Sequence, residues 1–341
     1  MTHSPSLPDQ KIFVLHPKRG RSFILTYTRK SDAIYKCHGR YEGAIYHVMN
    51  RGDRREDIFL DDLDRRRFVA TLAEASEKTG WQVHAFCLMG NHFHLVIETP
   101  AANLVAGMKW MLGTYTQRFN ARHRMRGHLF AGRYKALVVD ESDDFYLRTV
   151  CDYVHLNPVR AGLLESETPL EGFQWSSYPA YLRPLRKRPG WLRVDRLLGE
   201  HGIRRDDGRG RREFARRMEA RRAEEEDEEL MKCIRRGWRF GAEDFLERLG
   251  NRMQKASPER HAADQVRDQQ RLNAAGLLER ELGEEGIAME DLPGLKKGHP
   301  KKVRIAKVLR RQTTLTLREI ASLLHAGHWR SLANMISKMN K

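Results

Sequence analysis

Cysteine is scarce in this chain: four among 341 residues, at positions 37, 87, 151 and 233, with no CxxC spacing. So scattered a set argues against a disulfide framework and against a zinc module, and leaves reduced, mostly buried thiols of a cytoplasmic protein as the expectation. Also missing is any run of about 18 apolar residues, the length needed to span a bilayer. "RSFILTYT" is too short for the apolar core of a secretory signal. No Walker A pattern occurs, which argues against a nucleotide-driven motor. Acidic residues are in deficit, 45 Asp and Glu against 62 Lys and Arg, for a formal net charge of +17. A field of that sign favours polyanions, and the interleaved Trp, Tyr and Phe point to nucleic acid before membrane.

Residues 1–42 are basic and polar, with one strand-like run from Phe23 to Tyr27, and read as an extension of unassigned role. From Ala44 the pattern sharpens. "AIYHVMN" alternates as a strand, and "LDDLDRRRFVATLAEASEKTG" carries Leu60, Leu63, Phe68, Leu72 and Ala75 at helical spacing and stops at Gly80. "WQVHAFCLM" and "HFHLVIE" are strands around a Gly-Asn turn. "LVAGMKWMLGTYTQRFNARH" is an amphipathic helix, "ALVVD" a fourth strand, and "SDDFYLRTVCDYVHLNP" a helix capped by Ser/Asp and ending at Pro158. This order predicts an α+β domain over 43–185, a ferredoxin-like antiparallel sheet with helices on one face. Residues 186–272 are too charged to pack alone and are expected to form a solvated linker with a small helical segment. Over 273–341, "KVRIAKVLRR", the T-x-x-E capping box of Thr316 and Glu319, the "HAG" turn and "HWRSLANMISKM" outline a helix-turn-helix, for which a plain helical hairpin is the alternative.

The chemistry concentrates in "MGNHFHLVIE". On a strand, His92 and His94 share one face while Phe93 and Leu95 line the other, so two imidazoles converge as a half-site for a divalent metal. A chain with 15 histidines yields such pairs by chance, so the pair needs company. "DYVHLNP" supplies it: Tyr153 and Asn157 lie one helical turn apart, beside the apolar stripe of Leu147, Val150, Cys151 and Val154. Tyr115 is a rival nucleophile, but it sits in the apolar stripe of its own helix above Phe119 and reads as core. His155 is turned about 160° from Tyr153 around the helix and does not qualify as its base. The stretch "RGHLFAGRYKA" with Arg124, Arg126, Arg133, Tyr134 and Lys135 alternates cations with aromatics, as a single-stranded nucleic-acid surface requires, although a solvated basic loop would look the same.

"YHVMNRG", "LMGNHFHLVIE", "GHLFAGRYK" and "DYVHLNPVRAGL", in this order, resemble the single-tyrosine HUH transposases, and "NPVRAGL" is most similar to the REP-associated tyrosine transposase branch. The resemblance covers about residues 43–165. It implies a homodimer acting on single-stranded or REP-like hairpin DNA with Mg2+ or Mn2+. His92 and His94 would be metal ligands, Asn157 the third ligand and Tyr153 the nucleophile. Asn50, Arg51, Arg124, Arg126, Arg133, Tyr134 and Lys135 would contact DNA; outside the resemblance, Arg330 in the final helix of the helix-turn-helix outline is the candidate for duplex contact. Gly90 stands where relatives often have proline, and the front extension and long tail lie outside the shared pattern.

Such a set has a physical logic. A phenol of pKa near 10 is a weak nucleophile against an anionic phosphodiester. Neutral His and Asn ligands leave a cation's full charge to offset that repulsion. Two other classes meet the same residues: a catalytically silent DNA-binding regulator, and a metal-dependent nuclease using water, for which Tyr153 would be dispensable.

Overall fold

A computed structural model describes residues 11–17, 23–29, 41–249 other than 166, 225, 226, 238, 243 and 246, and 262–339. Cys37 lies outside the described residues; Cys87, Cys151 and Cys233 are free thiols, the first two buried. Strands β1 (Lys11–Pro17) and β2 (Phe23–Arg29) form an antiparallel hairpin, and β2 contains the run expected at Phe23 to Tyr27.

Strand β3 (Ala44–Arg51) is the centre of the main sheet and is buried on both faces for nearly its whole length. Helix α1 (Asp62–Thr79) is capped by Asp61, whose side chain accepts from the Asp64 amide, and is ended by Gly80 at φ 71°, a left-handed position that suits glycine. Strands β4 (Gln82–Leu88) and β5 (His92–Thr99), helix α2 (Leu104–His123), strand β6 (Lys135–Val139) and helix α3 (Asp144–Arg160) follow. With β7 (Arg239–Phe240), the strand order is β4-β5-β3-β6-β7. Along this order β4–β5, β5–β3 and β3–β6 are antiparallel pairs, and β7 joins β6 in parallel.

Two expectations are corrected here. First, the sheet is mixed: the chain returns to the β6 edge after a long helical excursion, the kind of connection a parallel pair needs. Second, helices cover both faces. α1 and α2 pack on the side of Phe93, with Phe68 4.9 Å from the Phe93 ring and 5.0 Å from that of Tyr115. α3 lies on the opposite side, where the Tyr153 and His94 rings are 5.8 Å apart. That second face presents Ala85, Cys87, Val96 and Leu137, all buried, and such a surface must be covered. The fully buried Leu147, Val150, Cys151 and Val154 of α3 do so. Pro158 does not end α3, which runs on to Arg160, since in the last turn a missing N–H removes a single bond.

Residues expected to form a solvated linker instead join this core. Trp191 and Arg193 hydrogen-bond Val83 on the edge of β4, next to Trp175 and Ser177 of the expected 43–185 domain, which bond the same strand at Leu88 and Phe86. Helix α4 (Asp195–Glu200) buries Leu197 and Leu198, and α5 (Gly208–Arg222) buries Phe214 and Met218. The Phe214 ring is 5.1 Å from those of Tyr181 and His201. Two apolar residues one turn apart are enough to seat an otherwise charged helix on a ready aromatic surface. Helix α6 (Glu228–Arg236) buries Met231 and Ile234 before leading into β7.

A second core is built by α7 (Ala262–Glu285), α8 (Pro300–Gln312), α9 (Leu317–Leu323) and α10 (Trp329–Lys338). The Thr316–Glu319 capping box is present in both directions, and the turn before α10 uses His325 at φ 49° and Gly327 at φ 77°. Lys78 of α1 joins the two cores: its Nζ donates to the Arg311 and Thr313 carbonyls at 2.7 and 2.9 Å, and to that of Arg310, at the negative end of α8.

Candidate active site

The register of the sheet places the histidines. His92 is opposite Arg51 of β3, and His94 lies between Met49 of β3 and Cys87 of β4, so both rings project toward α3. Their centroids are 5.2 Å apart. Nδ1 of His92 lies 2.8 Å from Asn91 Oδ1, and the Asn91 amide is itself oriented because its Nδ2 donates to the Arg55 carbonyl at 3.0 Å. The amide oxygen can only accept, so His92 carries its proton on Nδ1 and its lone pair on Nε2. Nδ1 of His94 is 2.9 Å from Nε2 of His47 on β3, the two rings meeting edge to edge with centroids 5.2 Å apart and planes within 21°. Burial, and secondarily Arg51, lowers the pKa of His92 to about 4. Burial lowers His47 to about 3, and burial with the neighbouring His47 and His92 takes His94 well below the ordinary range. All three rings are uncharged at neutral pH, the state in which imidazole can ligate.

Tyr153 reaches this group from the packed face of α3. Its ring lies 5.8 Å from both His47 and His94. Asn157 lies one turn on, its Nδ2 donating to the Tyr153 carbonyl at 3.3 Å. On the other side the Arg160 guanidinium stands 4.9 Å from the Tyr153 ring centroid, while its Nη1 donates to the Tyr153 carbonyl at 2.8 Å. Burial raises the phenol pKa, and the Asn157 side chain and the charges of Arg235 and Arg160 act in the opposite direction. The resting group is thus a neutral phenol with cations in place to favour its anion. His155 points away, its Nε2 2.8 Å from Ser177 Oγ and its ring 5.1 Å from that of Tyr181.

Among the described residues no group of three or more His, Cys, Asp or Glu side chains is placed to hold a metal ion. The donors that fit a divalent cation here are neutral: the outward nitrogens of His92 and His94 and the amide oxygen of Asn157. Together they would offer a divalent cation three neutral donors and leave its other coordination positions open.

A basic loop is tied to the end of β3, where Arg51 pairs with His92. Gly52 bridges to Phe130, and the Asp53 and Ala131 amides donate to the Leu129 and Arg51 carbonyls, both at 3.0 Å, which ties the loop after α2 to the end of β3. Arg51, Arg124, Arg126, Arg133 and Lys135 are exposed. Tyr134 is half-buried against the core, which pushes its pKa up to about 12. Asn50 is buried on the opposite face: its Oδ1 accepts from the Arg51 amide at 2.9 Å and its Nδ2 donates to the Gly132 carbonyl at 3.4 Å, so it holds this loop in place. Arg330 is exposed over the Trp329 ring in the C-terminal core and is not part of this cluster. Tyr115 is core, its hydroxyl donating to the Ile58 carbonyl at 2.6 Å. Sequence reasoning missed His47, Arg160 and Arg235, as well as Arg54 and Arg55, which are exposed in the turn after β3.

Residues 40–157 match the family model described as Transposase IS200 like. Among solved structures, the chain is similar to a REP-associated tyrosine transposase bound to a REP hairpin, at 13% identity, covering 41% of this chain and 80% of that one, with a TM-score of 0.34. No curated protein matches it.

Proposed function

We propose, from the premise that this chain carries an IS200-like transposase domain over residues 40–157, that it cuts and rejoins single-stranded or hairpin DNA through Tyr153. The observation that carries the reading is the convergence of the Tyr153 ring, 5.8 Å from His94, with the Asn157 amide one helical turn on, which donates to the Tyr153 carbonyl. On this reading the sheet order, with both crossover helices on one face, is a ferredoxin-like frame that delivers the histidines from β5 to the nucleophile on α3.

The phenolic oxygen attacks phosphorus, a bond to Tyr153 forms and the bond to the 3′-oxygen breaks. The phenolic proton leaves to solvent and the departing oxygen gains one, giving a 5′-phosphotyrosine and a free 3′-hydroxyl. Since the ester is exchanged and not hydrolysed, a 3′-hydroxyl from another end can reverse the step and rejoin strands. His92, His94 and Asn157 would hold Mg2+ or Mn2+, which when bound supplies charge to a non-bridging oxygen and orients the phosphate. Arg160, over the ring, and Arg235 stabilise the developing phenolate.

The exposed Arg51, Arg124, Arg126, Arg133 and Lys135 give the DNA backbone a cationic path to this site. The helices α8–α10, with Arg330, supply a second surface for flanking duplex. A homodimer is part of the reading, through the resemblance. Among the described residues no helix is long and apolar enough to cross a membrane.

The test is cleavage of an end-labelled single-stranded hairpin DNA with Mn2+. Wild type should cut, and both Tyr153→Phe and a His92→Ala, His94→Ala double variant should not. Cutting that survives Tyr153→Phe would make the protein a water-using nuclease. Binding without cutting would make it a DNA-binding regulator.

A further inference from the structure

His47 has no place in the chemistry just given, yet it is fully buried beside it. Its Nε2 is 2.9 Å from Nδ1 of His94, the two ring planes lie within 21° of each other with centroids 5.2 Å apart, so the rings meet edge to edge, and its edge meets Tyr153 at 5.8 Å. Its other nitrogen, Nδ1, is buried and has no hydrogen-bond partner among the described residues. A buried polar atom without a partner is destabilising, so the ring is held there against a cost that leucine would not carry. The arrangement also has a consequence for its neighbour. Two neutral imidazoles sharing one contact have one proton between them, and whichever ring donates fixes both tautomers.

We propose that His47 is a positioning residue that accepts the Nδ1–H of His94 and so presents the His94 Nε2 lone pair to a divalent cation. The inference rests on the metal-site reading above. It makes His47 the counterpart of Asn91, whose oxygen does the same for His92, and the two rings then face the site in matching tautomers. Ligating histidines are commonly oriented by a carboxylate or carbonyl through the other ring nitrogen. A neutral imidazole in that place keeps the pocket free of negative charge, so that a bound cation's charge is not offset before DNA arrives.

The test uses the full chain with Mn2+ alone, titrated by electron paramagnetic resonance, for wild type, His47→Gln, His47→Leu and His94→Ala. Loss of an orienting partner typically weakens metal affinity roughly 10- to 100-fold. His47→Leu should fall in that range, and His47→Gln, whose amide oxygen can accept the same proton, should stay within about threefold of wild type. Imidazole 15N spectra of the Mg2+-loaded protein should show His94 protonated on Nδ1 in wild type and in His47→Gln. Circular dichroism melts separate misfolding from loss of orientation. Should His47→Leu bind Mn2+ as wild type does while His94→Ala does not, the positioning role is refuted and the metal site stands. A wild-type protein that takes up no Mn2+ would overturn both.

Discussion

Replacing Phe214 by alanine tests whether the charged segment after the sheet belongs to the fold that carries the nucleophile. The side chain is fully buried, with ring centroids at 5.1 Å from Tyr181, 5.1 Å from His201, 5.9 Å from Tyr178 and 6.4 Å from His155. Those four neighbours sit on three stretches of chain, the short helix Tyr178–Tyr181, the turn at His201 and α3 itself, and His201 is further fixed at 2.9 Å from Asp152. A cavity so bounded collapses poorly, which puts the loss in the upper part of the usual range for Phe→Ala, about 4 kcal/mol. With a urea m-value of about 2 kcal/mol per molar, the midpoint should fall by about 2 M. The assay is urea unfolding followed by the fluorescence of Trp175 and Trp191, which lie in the same core. Arg216→Ala, on the exposed side of the same helix, should change stability by less than about 0.5 kcal/mol. A loss below about 1 kcal/mol for Phe214→Ala at unchanged m would refute the packing of α5 and restore the solvated linker.

Further outcomes follow from charge and burial. Burial, helped by His201, lowers the pKa of His155 to about 3. The unfolded chain therefore binds a proton near pH 6.5 that the folded chain refuses; the stabilisation is complete above that pH and is lost as pH falls toward 3, up to about 4 to 5 kcal/mol. Melting temperature should drop steadily from pH 6.5 to 4, less so in His155→Gln, and equal slopes would contradict the assignment. Changing Arg124, Arg126 and Arg133 together to glutamate should weaken hairpin binding and flatten its dependence on log salt by about 0.7 per lost phosphate contact. An unchanged slope would move the DNA path elsewhere.

Much of the site was legible because it depends on short periodicities. His92 and His94 share a face by the two-residue repeat of a strand, and Tyr153 and Asn157 share one by the helical turn, so each pair converges whatever the tertiary structure. The capping box of Thr316 and Glu319 is local in the same sense. What could not be read depends on partners distant in sequence. His47 looks like a lone histidine in a core strand until β3 is set against β5, since the register decides which side chains it meets. The second covered face of the sheet follows from where α3 returns, and β7 pairs with β6 a hundred residues downstream. Helix α5 misled because mean charge outweighs two apolar residues in a compositional reading, while burial depends only on where those two point.

The central claim is that Tyr153 forms a covalent bond to DNA. Wild-type protein incubated with hairpin DNA and Mn2+, denatured in SDS, digested with protease and nuclease and read by tandem mass spectrometry should yield one modified peptide, with the added 5′-phosphate on Tyr153. An adduct on any other residue, or cleaved DNA with no adduct at all, would contradict the account.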